Sequence, residues 1–183
     1  IYLNRPLGNK WGVYELFNRK ESIRNHLPET RMYTRISDVI QMLERNRSVF
    51  VKPVNGTGGR GILKIRKTGK FTYTVEGRSM NRTIMQPKSY SEENLIHLLN
   101  VWKTGKKLLV QQGLDLTLSN GRVHDYRMLI QKDGQGRWTV TGMAGRIGAK
   151  SSITSNLHGG GRAVSADKLL QYWIGSKYSV SDI

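Results

Sequence analysis

The sequence predicts an α+β fold, because stretches with helical and with strand periodicity follow one another irregularly and no internal repeat is visible. Apolar side chains recur at helical spacing in three stretches, 9–25, 37–43 and 95–102. Compact or alternating β-type runs fill six others, 49–54, 62–66, 71–75, 108–112, 123–132 and 137–147. A single irregular α+β unit is the simplest architecture that fits these patterns.

Residues 1–45 are predicted to form lead-in helices. Asn9 precedes the first helical stretch and can cap it, and Pro28 ends the segment because a proline cannot continue a helix. The stretch 37–43 predicts a second, shorter helix.

Residues 46–112 are predicted to form a small lobe. A strand over 49–54 leads into the glycine-rich stretch 55–61, and another strand over 62–66 leaves it. Ser91 opens a capping box in front of the helical stretch, and the last strand stops at Gly113, which marks a bend between two lobes.

Residues 113–183 are predicted to form a larger, incomplete lobe. The turn residues 133–136 join two long strands into a hairpin, and a flexible glycine-rich loop follows at 155–161. Ser165 caps a last helix that runs through Trp173. Trp138 and Trp173 lie in regular patterns, which favours core positions over exposed stacking positions for both.

The chain is strongly basic, with 30 Lys and Arg against 13 Asp and Glu and a formal net charge of +17. Such a charge concentrates polyanions such as nucleotides, nucleic acids and acidic polymers near the surface. The cations are scattered, so binding to nucleic acid is expected to be non-specific and to weaken with salt. No stretch is apolar enough to cross a bilayer and no cysteine is present, so we expect a cytoplasmic protein without a membrane partner.

Gly56, Gly58 and Gly61 fit the pattern G-x-G-x-x-G, which unrelated nucleotide folds share. A dinucleotide-binding fold requires a helix after the last glycine, but residues 62–66 alternate like a strand. A Walker loop requires Lys and then Ser or Thr in place of Ile62 and Leu63, and the H-R-D and D-F-G motifs of protein kinases are missing. The interpretation that remains is a glycine-rich β-hairpin flap.

Such a flap suits phosphate, because backbone without side chains can approach an anion closely and Lys52 supplies a positive charge beside it. An ordinary hairpin with a wide turn explains the glycines alone about as well. Lys52 lies between the apolar residues Val51 and Pro53, which favours a directed role over a solvated one.

Five segments resemble, in their order and spacing, those of an ATP-grasp ligase. They are 9–11, 50–53 with the flap, 109–113, 125–127 and 155–160. The flap sequence 52–62 and its lead-in 27–30 are similar to the YheC/YheD-type endospore coat-associated proteins, and the loop 155–160 is similar to that of the ribosomal-protein glutamate ligases. The resemblance spans nearly the whole chain and implies two α+β lobes with ATP between them.

The resemblance also implies a role for each matching residue. Lys52 would hold the α- and β-phosphates, with Lys10 on the opposite wall. Residues 55–61 would close over the phosphates, residues 111–114 would recognise adenine through their backbone, and Asp115 would contact ribose. The implied nucleotide-binding residues are Lys10, Lys52, Asn55, Gly56, Thr57, Gly58, Gly59, Gly61, Gln111, Gln112, Gly113, Leu114 and Asp115. The implied catalytic residues are Arg127 and Arg146, which would face the γ-phosphate and the acyl phosphate, and Asn156, which would shape the acceptor pocket.

The implied reaction is ATP-dependent ligation, in which a carboxylate attacks the γ-phosphate and an amine or thiol then attacks the acyl phosphate. Such ligases use Mg²⁺, but the acidic strand that would bind it has no match after Asn156. The Mg²⁺ ligands are therefore expected outside this chain, which by itself should be inactive. None of the four histidines has a partner at metal-ligand spacing, so no metal ligand is predicted here.

Two other functions remain open. One is a basic module that binds nucleic acid or an acidic polymer, although exposed aromatic residues interleaved with basic clusters do not stand out. The other is a non-catalytic ATP-grasp scaffold. The resemblance further implies an association with the forespore or the spore coat, and no motif identifies the substrates or the oligomeric state.

Overall fold

The computed structural model describes residues 8–56 and 58–175, so Thr57 of the expected flap lies outside the described residues. The chain divides into two compact units, residues 1–114 and 115–183. The helices are α1 (Lys10–Asn18), α2 (Glu21–Arg24), α3 (Ile36–Asn46), α4 (Glu92–Lys103) and α5 (Ala166–Gly175). The strands are β1 (Thr30–Met32), β2 (Ser48–Pro53), β3 (Ile62–Lys67), β4 (Thr72–Arg78), β5 (Ile84–Ser91), β6 (Leu108–Gln112), β7 (His124–Lys132), β8 (Trp138–Ile147) and β9 (Arg162–Ser165). The predicted α+β class is confirmed.

The first unit is built on a six-stranded sheet in the order β1-β6-β2-β3-β4-β5. Every pair of neighbouring strands in it is antiparallel. Strand alternation points Val49, Val51 and their counterparts on the other strands to one face, where they pack with the buried side of α3 and α4. The intervening residues of β2, Phe50 and Lys52, consequently lie on the opposite face, which we call the far face.

Register partners extend the far face across four strands. Thr30 of β1 lies opposite Gln111 of β6, Gln111 lies opposite Phe50 of β2, and Phe50 lies opposite Lys64 of β3. Residues directly opposite one another in an antiparallel pair project to the same side of the sheet. The side chains of β1 and β6 on this row are therefore neighbours of those on β2.

Helix capping follows the sequence signals. The Asn9 side chain accepts from Gly12 N at 2.9 Å, and the Ser91 hydroxyl accepts from Asn94 N at 3.3 Å. The prediction of one helix over 9–25 is wrong, because the chain leaves α1 after Asn18 and restarts as the single turn α2. Among the described residues the longest helix, α4, has 12 residues, and none is long and apolar enough to cross a membrane.

The second unit is a three-stranded antiparallel sheet in the order β7-β8-β9, with α5 against one face. Its small core joins Leu118, Ile147 and Leu169 to partly buried neighbours that include Trp173. The prediction of a core position for Trp138 is wrong, since this side chain is 67% exposed. It lies at the far end of the hairpin, beyond the part that α5 covers.

The loop expected at 155–161 has more regular structure than its glycines suggested. A short 3-10 turn occupies Leu157–Gly159, and β9 begins three residues later. Gly161 fills a narrow position, because a Cβ atom there would lie 2.9 Å from the carbonyl oxygens of Ser155 and Asn156. The glycine thus permits a close backbone crossing rather than a freely moving segment.

Candidate functional site

Lys52 is a partly buried cation on the far face. Its ammonium donates to Gln111 Oε1 at 2.7 Å and lies 4.8 Å from the centroid of the Phe50 ring. Burial, and to a smaller extent the neighbouring charge of Lys10, lowers the pKa of Lys52 from 10.5 to about 8. Desolvation disfavours the charged form of an amine, so an anion that restores a charge partner here would be bound favourably.

Lys10 begins α1 and joins it to the end of β2. Its ammonium donates to Pro53 O at 3.0 Å and to Gly56 O at 2.7 Å, and its backbone N donates to Val54 O at 3.3 Å. Burial lowers its pKa as well. A partly desolvated ammonium on Lys10 and a more deeply desolvated one on Lys52 thus lie beside the entrance to the glycine-rich loop, and the charge of Lys10 disfavours the charged form of Lys52.

The loop between β2 and β3 requires glycine for its backbone conformation. Gly56, Gly58, Gly59 and Gly61 all have positive φ, between 66° and 127°. A Cβ atom on Gly61 would lie 3.0 Å from Pro53 Cγ and would also overlap the Met80 side chain, whereas Cβ atoms on Gly56 and Gly58 would meet nothing within 4 Å. The start of the loop is therefore open enough for its backbone to meet a ligand, and its end is packed.

The stretch after β6 is held by the sheet. Gln112 N donates to Glu29 O and Gly113 N donates to Ser48 O, both at 2.8 Å. A Cβ atom on Gly113 would lie 2.9 Å from Ser48 Cβ, so the glycine allows β6 to leave the sheet close to β2. Leu114 ends the first unit with an exposed side chain.

Asp115 and the catalytic candidates belong to the second unit. The Asp115 carboxylate accepts from Thr117 N at 3.1 Å, two residues along the chain. Arg146 of β8 pairs with Asp125 of β7 through two hydrogen bonds, Nε to Oδ1 at 2.6 Å and Nη2 to Oδ2. Burial acts to raise the pKa of Asp125, but hydrogen bonds from Arg146 and Ser155 outweigh it and leave that pKa below its ordinary value.

Arg127 lies two residues beyond Asp125 on the same strand face and is exposed. Because Arg146 is matched by a carboxylate, Arg127 is the more available of the two predicted arginines. Asn156, the third catalytic candidate, stands just before the 3-10 turn, where its carbonyl oxygen accepts from Gly159 N at 3.0 Å.

The structure thus brings Lys10, Lys52, Gln111 and the first glycine of the flap together in the first unit. It also reveals residues that sequence reasoning did not single out. Thr30 contacts Gln111, and Ser155 bonds Asp125. Both lie in segments that carried the resemblance, 27–30 and 155–160, but neither was given a role, because β1 has only three residues and the stretch around Ser155 was interpreted as a loop.

The described residues do not fit a Mg²⁺ site. Within 8–56 and 58–175, no three His, Cys, Asp or Glu side chains come together in a way that could hold a metal ion. Asp125, which lies beside the catalytic candidates, is already paired with Arg146. Mg²⁺ takes hard oxygen ligands, and an arginine-matched carboxylate is a poor one.

Comparisons with known proteins identify a family and two relatives that this chain resembles. The profile of the YheC/D-like ATP-grasp family matches residues 1–182. Two relatives from Bacillus subtilis (strain 168) are both named as endospore coat-associated proteins. YheD is 28% identical over 160 residues, covering 87% of this chain and 35% of YheD. YheC is 27% identical over 173 residues, covering 91% of this chain and 45% of YheC.

The chain therefore spans less than half the length of these two relatives. No solved structure gives a significant match. The profile match nevertheless covers nearly all 183 residues and includes both units. The resemblance inferred from the sequence motifs is confirmed, and the chain belongs to the YheC/D-like ATP-grasp family.

Proposed function

We propose that this chain provides the ATP-binding part of a ligase that joins a carboxylate to an amine or thiol through an acyl phosphate. The observation that carries the proposal is the placement of two ammonium groups, on the largely desolvated Lys52 and the partly desolvated Lys10, beside a glycine loop of positive φ. Family membership supports ATP as the ligand. The carboxylate and its acceptor are unspecified.

The phosphates would bind where the two lysines and the flap converge. Lys52 approaches from the far face of the sheet, and Lys10 already holds the carbonyl of Gly56. Backbone N–H groups in a glycine-rich loop and fixed ammonium groups are complementary to phosphate oxygens. The triphosphate would replace the repulsion between the two cations with attraction.

The adenine base would bind at the end of β6. The N–H groups of Gln112 and Gly113 are used within the sheet, so the base would find carbonyl oxygens there and the N–H of Leu114. An adenine edge offers one amino donor and adjacent ring acceptors, which suits an alternating backbone acceptor and donor. This assignment keeps the predicted residues 111–114 but limits which of their atoms are available.

In the second unit we propose that Arg127 stabilises the transferred phosphoryl group. It is the exposed arginine of the pair and lies next to an Asp125 that Arg146 already neutralises. Positive groups that face a phosphoryl group in transfer lower the barrier by electrostatic stabilisation. Arg146 would instead fix Asp125 and the strand that carries Arg127. Asn156 and its glycine neighbours would shape the acceptor side.

The relatives' names place YheC and YheD at the endospore coat. We propose that the present protein likewise acts in or on a developing endospore. A non-catalytic scaffold that binds ATP remains the second candidate, because the described residues do not form a metal site.

Calorimetry with ATP tests the binding proposal. Lys52→Met should weaken ATP binding at least about tenfold, because a charge-assisted contact contributes roughly 1.5–3 kcal/mol. Lys70→Met removes the same charge from an exposed position and should leave the affinity nearly unchanged. Equal affinities for the wild type and Lys52→Met would refute the assignment of the phosphate site.

Ligase activity is tested separately, by incubating the protein with Mg-ATP and pooled amino acids and thiols. Formation of ADP that depends on the added acceptors, together with a new amide or thioester, would support the ligase. ATP binding without acceptor-dependent ADP would favour the scaffold.

A further inference from the structure

A chain of three hydrogen bonds runs from Lys52 to the start of β1. The Lys52 ammonium donates to Gln111 Oε1 at 2.7 Å, and Gln111 Nε2 donates to Thr30 Oγ1 at 2.8 Å. The Thr30 hydroxyl in turn donates to the backbone carbonyl of Pro28 at 2.9 Å. Three strands, β2, β6 and β1, are thereby joined through side chains on the far face.

Chemistry fixes the direction of every bond in this chain. An ammonium can only donate, so Gln111 must present its carbonyl oxygen to Lys52 and its amide N–H to Thr30. Thr30 must then accept from Gln111 and can donate only onward, to a carbonyl that has no proton of its own. The amide of Gln111 cannot flip without breaking two of the three bonds.

Thr30 is well suited to anchor this chain because it is shielded from solvent. Thr30 is only 5% exposed, so water cannot easily replace its hydroxyl as the hydrogen-bond partner of Gln111. The register of the sheet sets Thr30 directly opposite Gln111, and strand alternation puts Lys52 on the same face. Bonds aligned in one direction also polarise one another, which strengthens the terminal bond to the ammonium.

We propose that Gln111 and Thr30 are positioning residues that hold the Lys52 ammonium in place for phosphate at the base of the flap. The phosphate part of this inference rests on the proposed function, whereas the positioning of Lys52 does not. Gln111 acts through its side chain, in addition to any contact that its backbone makes.

Because Gln111 is uncharged, it affects the charge of Lys52 differently from a carboxylate. A glutamine orients the ammonium without neutralising it, so the full positive charge remains for an incoming anion. A carboxylate at position 111 would hold the lysine more tightly but would cancel that charge. No ion pair joins Lys52 to a carboxylate in the part of the chain that the structure describes, as this role requires.

The test titrates Lys52 directly by NMR in protein labelled with ¹³C at lysine Cε, without nucleotide. The Lys52 signal is identified by its absence in Lys52→Arg. We expect a wild-type midpoint of about 8. Gln111→Leu should lower the midpoint because the acceptor is lost, and Gln111→Glu should raise it by about one pH unit or more because a carboxylate favours the ammonium.

Thr30 is tested with a matched pair of substitutions. Thr30→Val keeps the shape but removes the hydroxyl and should lower the midpoint less than Gln111→Leu does. Thr30→Ser keeps the hydroxyl and should restore the wild-type value. Thr74→Val on β4 and Gln86→Leu on β5 make the same chemical changes elsewhere in the sheet and should leave the midpoint unchanged.

If Gln111→Leu has the same Lys52 midpoint as the wild type, the inference is overturned. If Thr30→Val has the wild-type midpoint, Thr30 has no part in positioning Lys52. If Thr30→Val does not fold, the positioning of Lys52 is still tested by the opposite shifts in its midpoint that Gln111→Leu and Gln111→Glu should produce. ATP titrations form a second arm, in which Gln111→Leu and Gln111→Glu should both weaken binding although they move the midpoint in opposite directions. If the wild type binds no ATP, the proposed function fails, while the lysine titration still decides the positioning.

Discussion

The ammonium of Lys10 donates a 2.7 Å hydrogen bond to the carbonyl oxygen of Gly56, which fastens the first turn of α1 to the first glycine of the flap. The two residues are 46 positions apart in the sequence. The same ammonium holds the carbonyl of Pro53, at the end of β2. The flap therefore has a fixed entrance whose anchor is itself a cation that phosphate can attract.

Removing this anchor should loosen the flap and weaken nucleotide binding. Lys10→Met is expected to speed hydrogen exchange of the flap amides and to lower ATP affinity about tenfold, since a hydrogen bond from a charged donor contributes roughly 1.5–3 kcal/mol and this one is partly solvated. Lys20→Met, at an exposed position, serves as the control. Unchanged flap exchange in Lys10→Met would show that the anchor does not restrain the loop.

Nucleotide affinity should fall as the pH rises above about 8. In the nucleotide-free protein Lys52 has a pKa of about 8, whereas the ordinary pKa of a lysine is 10.5. Phosphate binding should raise the pKa toward that ordinary value, so the bound state takes up a proton between these two limits. Affinity then falls by up to about tenfold per pH unit in this window.

Calorimetry at pH 8.5 in two buffers of different ionisation enthalpy measures the proton uptake. Lys52→Met should lose most of the uptake and most of the pH dependence. An affinity that rises with pH in this window would contradict the role given to Lys52.

The pair between Asp125 and Arg146 should stabilise the second unit. The side chains are 31% and 12% exposed, so Asp125→Asn is expected to lower the free energy of unfolding by about 1–3 kcal/mol, between the values for exposed and buried pairs. The folded pKa of Asp125 lies below the ordinary 3.8. The contribution of the pair to the free energy of unfolding is thus fully present above pH 3.8. It is lost as the pH falls through the lower pKa that Asp125 has in the folded protein.

Urea denaturation of Asp125→Asn across acidic and neutral pH measures this effect. Arg127→Gln should leave the stability nearly unchanged, because Arg127 is exposed and forms no ion pair among those seen in the described residues. Equal losses in the two variants would mean that the pair has no special structural role.

Two flap glycines should differ in their tolerance of alanine. Gly58 and Gly61 have nearly the same φ, 69° and 66°, so each substitution should cost about 1 kcal/mol for the left-handed backbone. Gly61→Ala should cost roughly another 1 kcal/mol or more, because its Cβ would press on Pro53 and Met80 while that of Gly58 meets open space. Denaturation midpoints compare the two variants, and equal losses would argue against the packed end of the flap.

The sequence did not predict β1, β5 or β9, and the composition of the first two gives a local reason for this. β1 has only three residues, too few for an alternating pattern, and β5 contains Pro87 at the edge of the sheet, where the lost N–H matters least. Each is stabilised by the neighbouring strand rather than by its own composition. The helix expected over 9–25 was divided for a related reason, since local periodicity does not show where the chain must turn.

The sequence by itself determined the class of fold, the capped helices, the glycine flap and the position of Lys52 at the end of its strand, because each depends on residues close together in the chain. Only the tertiary structure decided what Lys52 touches. Gln111 is 59 residues from Lys52 and 81 from Thr30, and Arg146 lies 21 residues from Asp125. These partners meet because the strand register aligns them, and a shift of one residue would turn each side chain to the other face.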